Sequence, residues 1–312
     1  MSSDYLILAV IGLLAGVLGG LLGIGGSVLM IPAMSLVFGP AQHLYQGAAM
    51  MVNFFVVAPA VVQHRRAGAI LGPVVRVTAP AAVLGVVVGV WLSSGPWFQG
   101  DKEVYLSRTF GAFMLYAAGY NLYRLRPRRP LPDIDHSAAR SIPWWKTASM
   151  VGLPMGLAAG LLGIGGGSLA VPLQQVFLRI PLRRAIANSA ATIVLLSLVG
   201  AGYKNYSNTG AGVPFPEALK LAMFLIPTAL IGGYFGGRLT HTLPRRTLRL
   251  VVVVLMIYGG ISLIRRPAAG VPLPAAIDQT AHRGGCGLGL TRRSCARCDW
   301  TVLTAQFHPR IA

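Results

Sequence analysis

Long apolar runs, separated by short polar or basic connections, follow one another along most of this sequence. Several of the runs approach the roughly 20 residues that a helix needs to cross a bilayer. The pattern predicts an all-α polytopic membrane protein. Its predicted helices are 5–22, 27–38, 44–62, 70–92, 104–123, 147–162, 168–178, 185–203, 215–239 and 248–264.

One part of the pattern occurs twice. Residues 12–34 read GLLAGVLGGLLGIGGSVLMIPAM and residues 152–174 read GLPMGLAAGLLGIGGGSLAVPLQ, with 12 identities over 23 positions at an offset of 140. Such self-similarity is typical of a duplicated half-protein. It divides the chain into a first transmembrane repeat (1–124), a basic, proline-rich linker (125–146), a second transmembrane repeat (147–265) and a disordered basic tail (266–312).

The GIGG motif in each copy predicts a helix that is broken inside the membrane. Three glycines in four residues let the backbone turn and approach something small. A break at membrane depth is tolerated only inside protein or beside a water-filled cavity. The arm after each break begins with free N–H groups and the positive end of a helix dipole, which together favour an anion. Close helix packing is the alternative role, and the four-residue spacing of Gly12, Gly16 and Gly20 favours it for those glycines.

Charge is scarce in the apolar runs and concentrated between them. Charged residues make up 11% of the 312 residues and hydrophobic residues 54%, and the mean hydropathy is +0.63. The formal net charge of +19 fits Arg and Lys in cytoplasmic connections and in the tail, as the positive-inside rule expects. We therefore expect a lipid bilayer around the protein, multi-pass insertion and no nucleic-acid partner.

The basic connections also favour an inverted repeat. If each broken segment returns to its own side, the connections at 63–69, 179–184 and 241–249 and the linker all lie inside, while 39–43, 94–103 and 204–214 lie outside. Each half then crosses three times, an odd number that inverts the second half, as in many secondary transporters. If each broken segment crosses once, the repeats are parallel, and the basic tail favours that alternative.

Polar residues inside the runs indicate an anionic rather than a cationic substrate. None of the eight acidic residues is central in a predicted span, whereas intramembrane carboxylates usually relay protons or hold sodium. We predict a small-anion site at the two breaks, assisted by amides and hydroxyls of the second helix of each half; helix–helix hydrogen bonding is the alternative role of those side chains. The candidate residues are Gly23, Gly25, Gly26, Ser27, Asn53, Gly163, Gly165, Gly166, Gly167, Ser168, Asn188, Ser189 and Thr192.

Several other polar side chains are not assigned to this anion site. Gln46 and Gln174 lie in apolar runs, and His43 is predicted in a solvated loop. The cysteines, Cys286, Cys295 and Cys298, all lie in the tail, where their spacing fits no standard zinc finger. The spans contain no HExxH, GxSxG or paired Asp, so we predict no enzyme, no metal site and no cofactor.

The paired motifs GLLAGVLGGLLGIGGSVLMIP and GLPMGLAAGLLGIGGGSLAVP resemble the sulfite exporter TauE/SafE family of membrane permeases. The resemblance covers about residues 5–265 and implies an inner-membrane transporter of sulfite or organosulfonate anions, usually in export. The sequence departs from the family in having Ser27 where the second copy has Gly167, and in its long tail. A non-transporting membrane scaffold whose basic tail binds a partner is the alternative.

Overall fold

The structure, a computed structural model, describes residues 2–22, 25–39, 41–99, 102–123, 139–210, 215–239 and 245–265. Within these ranges the elements are helices and there is no strand, which confirms the predicted all-α class. The first half contains α1 (Ser2–Leu22), α2 (Ser27–Phe38), α3 (Gln42–Arg66), α4 (Gly72–Ser93) and α5 (Glu103–Tyr123). The second half contains α6 (Trp144–Thr147, a π-helical turn at Ala148–Gly152, and Leu153–Leu162), α7 (Gly167–Phe177), α8 (Leu182–Gly210), α9 (Phe215–Leu239) and α10 (Arg245–Ile264).

The lengths of these helices agree with a multi-pass membrane protein. Among the described residues, α3, α4, α8 and residues 215–235 of α9 are long and apolar enough to cross a membrane. The helices that follow the breaks are shorter, with 12 residues in α2 and 11 in α7. Each therefore extends only about 16–18 Å, roughly half the hydrocarbon thickness of a bilayer.

The C-terminal part of α8 corrects one prediction. Residues 204–210 were predicted in a loop because Lys204, Asn205 and Asn208 interrupt the apolar run, yet the helix continues to Gly210. All three side chains are buried against other helices. Tertiary contacts thus satisfy polar groups that, by composition alone, are typical of a connection. His43 is also helical, in the first turn of α3, and only half-exposed.

Helices of the two halves pack against each other in matching pairs. Helix α1 lies on α9, and its counterpart at the 140-residue offset, α6, lies on α4. Helices α3 and α8 pack together, as do α5 and α10. The two breaks are consequently carried on elements that are each held by the opposite half.

Glycines make the α1–α9 and α6–α4 contacts close, as the four-residue spacing predicts. A Cβ atom on Gly16 would overlap the carbonyl oxygen of Ala229, and one on Gly156 would overlap that of Ala82. A Cβ on Gly12 would overlap Oγ1 of Thr228. Small residues at such positions let helix backbones approach each other in a membrane.

Several predictions concern residues outside the described ranges. They include Gly23, residues 125–138 of the linker and residues 266–312 of the tail. The inverted orientation of the two halves relative to a bilayer also stays a prediction, because the helix pairing alone does not define the membrane sides.

Candidate functional site

Both GIGG segments interrupt their helices with left-handed backbone. Gly25 has φ +82°, and Gly163, Gly165 and Gly166 have φ between +71° and +75°. Residues with a side chain rarely adopt such values, so the glycines permit the break. Gly26, by contrast, has φ −75° and precedes α2 directly.

The two breaks meet at one side chain, the carboxamide of Asn53 in the middle of α3. A Cβ atom placed on Gly25 would lie 3.1 Å from Oδ1 of Asn53, and one placed on Gly165 would lie 2.7 Å from its Nδ2. Asn53 itself is 0% exposed. Of the predicted site residues, the structure therefore brings one glycine from each half and Asn53 into direct proximity.

A hydroxyl at the start of α2 contacts Asn53, and α7 has a serine in its first turn. Nδ2 of Asn53 donates a hydrogen bond of 2.8 Å to Oγ of Ser27, the first residue of α2. Gly167 and Ser168 occupy the corresponding first turn of α7. Oγ of Ser168 and Oδ1 of Asn53 are buried and have no hydrogen-bond partner within the described part of the chain.

The electrostatics of this position favour a negative charge. The first-turn N–H groups of an α-helix have no intrahelical acceptor, and a helix N-terminus carries about half a positive elementary charge. Helix α2 begins at Ser27 and α7 at Gly167, each with a glycine before it and no side-chain cap. The arrangement can therefore offer N–H, amide and hydroxyl donors to a small anion.

Gln46, one of the polar residues left without a role, lies at the second break. Its Nε2 donates to the carbonyl oxygen of Leu161 at 3.2 Å, one of the last carbonyls of α6, which an ending helix leaves unsatisfied. A Cβ atom on Gly163 would lie 2.7 Å from Cγ of Gln46. Its lone polarity inside an apolar run was the only signal that sequence offered for this contact.

The three candidates on α8 belong to a separate buried network. Asn188 accepts a hydrogen bond of 2.7 Å from the backbone N–H of Leu71 and donates one of 3.1 Å to Oε1 of Gln174. Nε2 of Gln174 donates to Oγ of Ser189 at 3.0 Å. Thr192 donates to the carbonyl oxygen of Asn188. No hydrogen bond among the described residues joins this network to Asn53, so it ties α7 and α8 to the start of α4.

A second polar cluster, which the sequence analysis missed, surrounds Lys204 of α8. Lys204 is 0% exposed, and its Nζ lies 2.9 Å from Nδ1 of His43 and 2.9 Å from Oγ of Ser93. The backbone N–H of His43 donates to Oε1 of Glu103 at 3.1 Å. Nδ2 of Asn208 donates to the carbonyl oxygen of His43 at 2.9 Å. We call these five residues the Lys204 cluster.

The described residues offer no evident metal centre. Within the described ranges, no group of three or more His, Cys, Asp and Glu side chains lies close enough together to hold a metal ion. The arrangement at the breaks, built from backbone, amide and hydroxyl groups, is suited to binding rather than to bond cleavage.

Comparison with known proteins identifies relatives over most of the chain. The family described as "Sulfite exporter TauE/SafE" matches residues 8–263. The chain is 31% identical over 281 residues to the probable membrane transporter protein MamO of Magnetospirillum gryphiswaldense, covering 81% of this chain and 44% of MamO. It is 25% identical over 290 residues to the probable membrane transporter protein YunE of Bacillus subtilis, covering 84% of this chain and 97% of YunE.

The match to MamO is partial in one respect. This chain spans less than half the length of MamO from Magnetospirillum gryphiswaldense and from Paramagnetospirillum magneticum, although it spans nearly all of YunE. No solved structure matches the chain.

Proposed function

This chain belongs to the sulfite exporter TauE/SafE family, and on that premise we propose that it is a multi-pass transporter of the inner (plasma) membrane that moves a small anion. Sulfite or an organosulfonate is the proposed substrate. The curated relatives MamO and YunE are named probable membrane transporter proteins, a name that specifies no cargo. The anionic class follows from the chemistry at the breaks.

The observation that carries this proposal is the meeting of the two breaks at Asn53. An anion there would receive N–H groups from the first turns of α2 and α7, together with the hydroxyls of Ser27 and Ser168. Backbone N–H groups at paired broken helices are a known means of holding anionic substrate groups in transporters. The described residues place no carboxylate beside Asn53 that would repel an anion.

Alternating access is the proposed mechanism. Gly25, Ser27, Asn53 and Gly165 are all buried, so the site is closed to solvent in the conformation described. Helices α1 and α6 are each packed on the opposite half. Relative movement of the halves would therefore open the breaks to one side of the membrane or to the other. In this scheme Gly26, Gly163, Gly166 and Gly167 shape the breaks, while Asn188, Ser189 and Thr192 hold α7 and α8 in place.

Transport by the purified full chain in liposomes tests the proposal. Labelled sulfite, sulfate and taurine would be offered in parallel, with empty liposomes as the background. We expect sulfite or taurine to accumulate above background, and expect Gly25→Leu and Gly165→Leu to abolish that accumulation while still reaching the membrane. Normal transport by both variants would refute the site assignment.

A tail-deletion variant separates transport from the scaffold alternative. Removal of 267–312 eliminates all three cysteines and the basic tail. A transporter should retain anion accumulation after this deletion, whereas a scaffold that acts through its tail would show no accumulation before or after it.

A further inference from the structure

Helix α3 carries a line of buried amide side chains that leads from the breaks to its own N-terminal end. Gln42, Gln46 and Asn53 are each 0% exposed. Spacings of four and seven residues place all three on one face of an α-helix. We call this line the amide face; it extends about 16 Å, roughly half the hydrocarbon thickness of a bilayer.

The amide face is deficient in hydrogen-bond partners. Within the described part of the chain, Nε2 and Oε1 of Gln42, Oε1 of Gln46 and Oδ1 of Asn53 are buried without a partner. Buried polar atoms in native proteins are nearly always paired, and an unpaired one is especially unfavourable at membrane depth. Every member of the line has at least one such atom, so each can bind a polar occupant.

The shared fold does not require this polarity. At the 140-residue offset, the positions related to Gln42, Gln46 and Asn53 are Leu182, Ile186 and Ile193 on α8. Ile193 even faces the same break, since a Cβ atom on Gly165 would lie 3.6 Å from its Cγ2. The two halves thus share a helix arrangement, but only the first half lines this face with amides.

We propose that the amide face is a segment of the translocation path, along which a small, partly hydrated anion passes between the breaks and the N-terminal end of α3. Nε2 of Gln42 can donate to the anion directly, whereas the amide N–H groups of Gln46 and Asn53 would first have to leave Leu161 and Ser27. The unpaired amide oxygens would accept from water that remains bound to the anion. The inference rests on the proposed transport function for the identity of the occupant. The path is closed in the conformation described, and the Lys204 cluster holds the same end of α3 through His43.

Cysteine accessibility tests the path without reference to any substrate. The three native cysteines, Cys286, Cys295 and Cys298, would be replaced by Ser in the full chain. Gln42→Cys and Gln46→Cys would be treated in membrane vesicles with 2-sulfonatoethyl methanethiosulfonate, a small anionic thiol reagent, and compared with complete labelling after denaturation. Ala48→Cys is the matched control, because Ala48 is also 0% exposed on α3 but points about 160° away from Gln46.

We expect both glutamine positions to react at least ten times faster than position 48, and from one side of the membrane only. Reaction no faster than at position 48, from either side, would overturn the proposal. Positive labelling combined with no sulfite or sulfonate transport would leave the path standing and refute the substrate.

A further variant covers the case in which the cysteine substitutions disturb folding. Gln42→Met keeps the side-chain length but removes an amide whose two polar atoms have no partner among the described residues. If Gln42 lines the path, we expect a melting temperature that is unchanged or raised and anion accumulation slowed at least fivefold. Unchanged accumulation would overturn the proposal, and a lowered melting temperature beside it would show that the amide stabilises the fold.

Discussion

Nζ of Lys204 lies 2.9 Å from Nδ1 of His43, across the interface between the two halves of the chain. Nε2 of the same imidazole lies 2.8 Å from the carbonyl oxygen of Phe98. Because that carbonyl can only accept, Nε2 carries a proton, and Nζ of Lys204 then donates to Nδ1. The buried amine of Lys204 in one half is thereby held by the imidazole of the other.

We expect substitutions of Lys204 and His43 to lower the free energy of unfolding by different amounts. His43→Phe would remove the imidazole acceptor and leave the buried amine of Lys204 hydrogen-bonded to Oγ of Ser93, which should lower the free energy of unfolding by at least ~3 kcal/mol. Lys204→Met removes the buried amine itself and should cost only about 1–2 kcal/mol. Thermal denaturation of the purified variants in detergent measures both effects.

The double variant provides the control for that prediction. His43→Phe combined with Lys204→Met should be more stable than His43→Phe alone, because the buried amine that needs the imidazole as an acceptor is then absent. Strictly additive losses would contradict the proposed contact.

A side chain at the second break should abolish transport for a reason other than backbone strain, and a control glycine with a similar φ separates the two effects. Gly165→Ala should cost about 1–2 kcal/mol because φ is +71°, and its Cβ would displace the Asn53 carboxamide. Gly68→Ala is the matched control, since φ is +60° there and no heavy atom lies within 4 Å. Both variants should lose the stability that the backbone strain costs, Gly165→Ala should lose more because it displaces Asn53, and only Gly165→Ala should lose anion accumulation in liposomes. Equal accumulation by both would argue against a role for the break.

We expect a negatively charged side chain at position 53 to repel an anionic substrate. Asn53→Asp keeps the side-chain size, and at about 4 Å and an effective dielectric constant of about 20 its carboxylate would oppose a monovalent anion by roughly 4 kcal/mol. Binding of the transported anion should therefore weaken about 1000-fold, which a concentration series of labelled anion would detect.

Asn121→Asp is the control for that substitution, because Asn121 is half-buried on α5 and donates only to the carbonyl oxygen of Ala117 in its own helix. It should transport like the unsubstituted protein. An Asn53→Asp protein with unchanged apparent affinity would exclude Asn53 from the anion site.

Close helix packing predicts a large effect of one methyl group. Gly156→Ala would place a Cβ against the carbonyl oxygen of Ala82, so α4 and α6 would have to separate, at a cost of about 1–3 kcal/mol. Gly119→Ala, on a helix position with no neighbouring atom within 4 Å, should leave the melting temperature unchanged or slightly raised. Similar melting temperatures for the two variants would contradict the packing described.

The sequence was sufficient for the class of the protein and for its breaks. Hydropathy is a local property, so it predicted the helices, including 27–38 and 215–239 with the bounds that the structure has. The duplicated GIGG motif predicted interruption, because glycine-rich backbone is unfavourable in a helix wherever it occurs. The paired motifs also identified the family.

Tertiary structure decided which side chains meet. Asn53 and Asn188 are both asparagines in the second helix of their half, yet Asn53 lies between the breaks and Asn188 binds Gln174 and the backbone of Leu71. Lys204 looks like a loop residue, yet it is buried against helices of the other half. Each outcome depends on a partner more than 100 residues away: Gly165 for Asn53, Leu71 for Asn188 and His43 for Lys204. Which residues these are follows from how the helices pack together rather than from the local pattern of apolar and polar residues.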